Sequence, residues 1–135
     1  MRAAIMFIPL FAGLVACMPM KDAVSTPTGA DDYADMCATC HGPAGRGDGE
    51  VARDLGVAAP DLTQLAALNG GVFPKAQVMS QIYGYARDGH GGSDMPAFGE
   101  LLEGETVLVD TGDGIATPTP LRLVQLAEYL EALGR

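Results

Sequence analysis

This sequence predicts a small, mainly α domain of three to five helices, with a short β-hairpin near residues 105–115. Three observations lead there. Eighteen Gly and nine Pro among 135 residues require many loops between short elements. Leu123, Leu126, Leu130 and Leu133 recur at three- and four-residue steps, the spacing of a helix with one buried face. Trp is absent and only 6% of residues are aromatic, so the core needs a bulky bound group to fill it. The length suits one domain and leaves little room for a second.

The N-terminus reads as an address. Arg2 precedes the uncharged apolar run Ala3–Ala16, the pattern of a signal peptide. Leu14-Val15-Ala16-Cys17 resembles the lipobox of bacterial lipoproteins, in which cleavage precedes the cysteine and that cysteine receives lipid. This divides the chain into a signal peptide (1–16), a lipidated tether (17–29) and a folded domain (30–135). Two alternatives stand beside it. The uncharged stretch Ala3–Met20 is about 18 residues, enough for an uncleaved anchor, although Pro9, Pro19 and the missing basic flank weigh against it. Ordinary cleavage would leave Cys17 without a role. All three export the chain, which places it in a bacterial periplasm. Met18–Gly29, with Ser, Thr, Pro and Gly and few apolar residues, is a flexible spacer between membrane and domain.

The first helix is expected over Asp31–Cys40, with Asp31 and Asp32 at its positive end. It carries Cys37-Ala38-Thr39-Cys40-His41. Two cysteines three positions apart on a helical turn face the same way and can bond the two vinyl groups of one haem. His41 then stands ready to ligate the iron. A redox dithiol would call for a βαβ context, which the sequence lacks. Structural zinc needs four ligands, and beyond this motif only Cys17 and His90 remain. A disulfide across so short a loop would leave His41 without a purpose.

Gly42–Gly49 is a tight loop, as a chain skirting a flat group requires. Arg46 and Arg53 are candidates to pair with haem propionates. Helices follow over Thr63–Leu68 and Pro74–Tyr85. Seven methionines compete to be the second axial ligand. Met6, Met18 and Met20 belong to the leader or tether, Met36 abuts the attachment motif, and Met79 falls beside Val78 and Ile82 in a helix. That leaves Met95, stiffened by Pro96 directly after it. His90, in the run Asp88-Gly89-His90-Gly91-Gly92-Ser93, is its rival. Glu105–Asp110, β-branched and followed by Thr111-Gly112-Asp113-Gly114, reads as a strand and turn. This insertion is expected to cover the haem edge on the methionine side and to shape a partner surface. Thr119 is the expected N-cap and Pro120 the first residue of a last helix, Pro120–Leu133.

From Asp31 onward the chain resembles a class I monohaem cytochrome c. Cys37-x-x-Cys40-His41 is followed by Met95-Pro96-x-Phe98, Gly29-x-x-x-Tyr33 precedes the motif, and Leu126-Ala127-Glu128-Tyr129-Leu130 is similar to the family's C-terminal helix. The resemblance implies the small cytochrome c fold around one covalent haem c, with thioethers to Cys37 and Cys40 and axial ligands His41 and Met95. It implies a crossing of first and last helices over a small residue. It also implies that the carbonyl of Pro60 accepts the second N–H of His41, which would orient the ring.

These readings converge on electron transfer, with no substrate bond made or broken and hence no enzyme. The net charge of −9, or −10 once Arg2 leaves with the leader (seven basic residues against seventeen acidic), disfavours nucleic acid. It suits a redox partner with a basic docking face. The alternatives are a haem enzyme or sensor with an open distal site, and a cytochrome subunit of a larger dehydrogenase or oxidase complex. Oligomeric state, electron donor and acceptor are not legible.

Overall fold

The computed structural model describes residues 26–85 and 94–135. The leader, Cys17, most of the tether and His90 lie outside the described residues. Among the described residues no helix is long and apolar enough to cross a membrane.

The first helix begins earlier than expected, at Gly29, where the tether was placed. Thr28 is the reason. Its hydroxyl accepts from the Asp31 N–H at 3.3 Å, and the Asp31 carboxylate accepts from the Thr28 N–H at 2.8 Å. This reciprocal cap satisfies two backbone donors that a helix start leaves open. From there α1 (Gly29–Asp32), a π turn (Tyr33–Cys37) and α2 (Ala38–His41) follow without a break. Gly42, at φ 79°, ends the run in a conformation costly for any residue with a Cβ.

Helix α3 (Glu50–Leu55) follows the Gly42–Gly49 loop and was not anticipated. Its signals are punctuation: Gly49 before it, and Gly56 closing it at φ 68°. The helix expected at Thr63–Leu68 divides into a 3₁₀ turn (Leu62–Gln64) and α4 (Leu65–Leu68). Asp61 caps the turn through the Thr63 N–H at 2.9 Å. Helix α5 spans Lys75–Tyr83 and buries Val78, Met79 and Ile82.

After Met95 the chain makes a 3₁₀ turn (Gly99–Leu102), then the expected hairpin. Strands β1 (Thr106–Val109) and β2 (Thr117–Pro120) pair antiparallel, with Val107 opposite Thr119 and Leu108 opposite Pro118. Period-two alternation places Val107 and Val109 against the core and leaves Leu108 exposed. Asp110 shapes the turn by accepting from the Gly112 and Gly114 N–H groups at 2.8 and 3.0 Å.

The last helix, α6 (Leu121–Leu133), starts one residue late. Thr119 does not cap it: its hydroxyl donates to the Thr117 carbonyl at 3.0 Å, because β2 runs on to Pro120 and holds Thr119 in the strand. Pro120 precedes the helix, with no side-chain cap.

The α1–α6 crossing organises the domain. A Cβ on Gly29 would collide with the backbone of Gln125 and Leu126, so only glycine permits this approach. The rings of Tyr33 and Tyr129 meet at 5.2 Å between centroids. Asp32, only 2% exposed, takes both Nε and Nη2 of Arg122, while Nη1 of Arg122 donates to the Leu101 carbonyl at 2.7 Å. One guanidinium thus joins α1, α6 and the Gly99–Leu102 turn. Leu123, Leu126 and Leu130 are buried as the stripe predicted, beside Tyr33, Leu102 and the buried face of α5.

Candidate functional site

Between α2, α5, the Val57–Pro60 segment and the Met95 loop lies a cavity of about 740 Å³. Each functional side chain reaches it for a local reason. Cys37 and Cys40, both free thiols, come from the helical run. The π turn matters here: the Ala38 N–H bonds back five residues to the Tyr33 carbonyl, so the turn is one residue wider than an α-turn. Tyr33 is anchored at its far end by its hydroxyl, which donates to the Gly42 carbonyl at 2.6 Å. The motif is therefore clamped at both ends.

His41 is buried, and its Nδ1 lies 3.2 Å from the Pro60 carbonyl. A carbonyl only accepts, so Nδ1 carries the proton and Nε2 keeps its lone pair for a metal. Pro60 is brought there by backbone hydrogen bonds: the Gly47 N–H to the His41 carbonyl at 2.8 Å, and the Leu62 N–H to the Gly45 carbonyl at 2.7 Å. Burial pushes the Cys37 thiol up to about 11, with smaller contributions from Asp32 and Cys40. As a free thiol it is therefore neutral at neutral pH.

Met95 and Pro96 enter the same cavity from another part of the chain. The Phe98 N–H donates to the Ile82 carbonyl at 2.9 Å, tying this loop to the end of α5. Met79 is buried in the core and does not line the cavity. Met36 does line it, a second thioether in the wall that the sequence argument set aside as merely adjacent to the motif. Gln77 and Gln81 also line it, and no sequence signal singled them out.

Two expectations find no support in the cavity wall. Arg46 and Arg53 are exposed and neither lines the cavity; Arg53 Nε donates to the Gly49 carbonyl at 3.4 Å. The hairpin does not cover the cavity either, since its wall includes no residue between Gly99 and Thr119. Val107 and Val109 draw it onto the core instead.

The chemistry of the wall is selective. It is mostly apolar (Val51, Ala52, Leu65, Val78, Ile82, Phe98), and its soft or nitrogen donors are two thiols, an imidazole and two thioethers, beside the polar side chains of Thr39, Gln77, Gln81 and Asp94. Among the described residues no three His, Cys, Asp or Glu side chains are grouped to hold a bare ion. The volume lies within the range of small-molecule and cofactor sites, roughly 300–1,000 Å³. The residues present fit a flat, apolar, iron-bearing macrocycle such as haem. Cys37 and Cys40 would hold its edge, and His41 and Met95 would reach its iron.

The family model described as cytochrome C oxidase, cbb3-type, subunit III matches residues 24–107. The match takes in Cys37, Cys40, His41, Pro60 and Met95, and stops inside β1. No curated protein and no solved structure matches the chain. The matched stretch exceeds half of the sequence, and the chain belongs to this family of c-type cytochrome domains.

Proposed function

We propose that this c-type cytochrome domain is a periplasmic one-electron carrier. It would hold one haem c through thioethers to Cys37 and Cys40, with His41 and Met95 as axial ligands. The observation that carries the reading is the convergence of these four side chains on one apolar cavity, with Nδ1 of His41 already engaged by Pro60. Bound haem supplies the Fe(III)/Fe(II) couple. The protein's share is to orient and to exclude. Pro60 sets the ring of His41 and raises its basicity. Met95 offers a thioether, which favours a higher potential than an anionic ligand. The apolar wall keeps water from the metal, and an acidic surface receives a partner with a basic face. Lipid on Cys17 would keep the domain at the membrane.

The test is a pyridine haemochrome assay with redox titration on protein matured in a periplasm. The expected result is one haem per chain and a sulfur-to-iron charge-transfer band that Met95→Ala removes. A high-spin wild type without that band would overturn the carrier reading and favour an open distal site.

The family description supports a second reading, a subunit held permanently in an oxidase complex. Size exclusion of a native membrane extract, followed at the haem absorbance, separates the two. A free carrier elutes near its own mass and a subunit with its complex.

A further inference from the structure

We propose that the open edge of β1 is a docking site for an extended, Lys- or Arg-bearing segment of a protein partner, which adds to the hairpin as a third strand. The inference rests on the reading that this domain receives a partner with a basic face, and names the element and the mode of contact.

The two edges of the hairpin are not alike. Pro118 and Pro120 have no N–H, so the hydrogen-bonded pairs of the ladder are Val107 with Thr119 and Val109 with Thr117. The Leu121 N–H, donating to the Glu105 carbonyl at 2.7 Å, continues that alternation. The two prolines therefore occupy the positions of β2 whose N–H would face outward, and that edge is blunted. On β1 the same alternation turns the N–H and C=O of Thr106 and Leu108 outward. Both residues are exposed, and among the described residues no hydrogen bond occupies these outward groups. Free donors and acceptors alternating along an edge are a template for another strand.

Charge names the occupant. Glu100, Glu103, Glu105, Asp110 and Asp113 are all exposed, and no Lys or Arg occurs between Gly99 and Thr119. Among the described residues none of the five is in an ion pair. Glu103 accepts from the Tyr83 hydroxyl and Asp110 from backbone N–H groups, and neutral donors leave their charge in place. This surface attracts a cationic segment and repels an anionic one. A second copy of this chain is disfavoured for the same reason, since pairing β1 with itself sets acidic residues against acidic residues. Leu108, exposed among these acids, gives the segment an apolar contact. The hairpin lines no part of the cavity, so a segment held here anchors a partner without entering it.

The probe is a synthetic peptide of alternating Lys and Val, with a Glu-for-Lys version as control, titrated into the haem-loaded protein and followed by amide NMR. The Lys peptide is expected to shift the Thr106 and Leu108 amides and slow their exchange, and to bind less well at high salt. The Glu peptide should do neither. Leu108→Pro copies on β1 what Pro118 does on β2, removing an outward donor while sparing the bonded pairs of the ladder. It should weaken binding about fivefold, the size of one lost hydrogen bond. If that variant loses the hairpin, the Lys peptide N-methylated at every residue removes the bonds from the other side, and should bind the unaltered protein more weakly still. Affinity unchanged by both alterations would mean attraction by charge alone and overturn the third strand. Absence of binding would overturn the docking site. A concentration-dependent dimer with both amides already protected would assign the edge to a second copy and overturn the occupant. The sulfur-to-iron band tests the carrier reading separately, because none of these outcomes alters it.

Discussion

The two sides of the cavity are built by opposite means. On the His41 side, the groups lie within one unbroken stretch, from Tyr33 through Cys37, Cys40 and His41 to Pro60. Backbone hydrogen bonds lock that stretch: Gly42 to Ala38, Gly47 to His41, Gly49 to Cys40 and Leu62 to Gly45. On the Met95 side, the proposed ligand sits in a loop held, among other contacts, by a backbone bond to Ile82 and a side-chain contact with Gln81. The chain then leaves the cavity for the hairpin. A ligand set by local geometry is hard to displace without unfolding the segment. A ligand set by tertiary contacts can be lost while the fold survives.

The contrast can be broken most severely at the cysteines. Cys37→Ser or Cys40→Ser should abolish full two-point attachment, because a hydroxyl does not form the thioether. Denaturing gels stained for haem would show the loss, whereas Met95→Ala should remain stained and lose only its sulfur-to-iron band. Next in size is Arg122→Ala. It leaves the carboxylate of Asp32 buried without its partner, and should cost roughly 3 kcal/mol in denaturant unfolding, at the lower end for a broken buried pair because Arg122 is partly exposed. Gly29→Ala drives a methyl into the backbone of Gln125, and should destabilise by about 2 kcal/mol, as overpacking does.

Alkaline pH sharpens the comparison from another direction. The Cys37 thiol titrates at about 11 when folded, against an ordinary value of 9.0. The folded apoprotein therefore binds this proton more tightly than the unfolded chain. The resulting stability is fully present below about pH 9 and is lost as pH rises toward 11. The proposed thioether attachment would remove this thiol, so the stability of the matured protein should lack this decline. Parallel urea melts of the two forms between pH 8 and 11 check it. The smallest effect is expected in the hairpin turn. Replacing exposed Ile115 with Ser should leave the haem spectrum unchanged and stability within about 0.5 kcal/mol, since it neither lines the cavity nor joins the core.

Much of this architecture is legible in single residues. The leucine stripe predicts α6, the Glu105–Gly114 pattern predicts the hairpin, and Gly29 and Tyr33 announce the helix crossing. What escapes has a common cause. Helix α3 buries only Ala52 and has no long apolar stripe, so its glycine boundaries are its sole sign. Thr119 reads as a cap until β2 claims it. Arg46 and Arg53 satisfy a charge argument, yet the direction of a side chain leaving a glycine loop or a short helix is not written in its neighbours.

The sequence by itself brought Cys37, Cys40 and His41 together, because residues within one turn of helix need no distant partner to be adjacent, and the proposed attachment rests on that. It determined by elimination which methionine to examine. Only the tertiary structure decided that Met95 and Met36 share the cavity while Met79 does not, that Gln81 meets the sulfur, and that the hairpin turns toward the core. Those outcomes depend on which face of α5 is buried and where its end is tied, a balance of packing among segments far apart in the chain. Local pattern cannot encode such a balance.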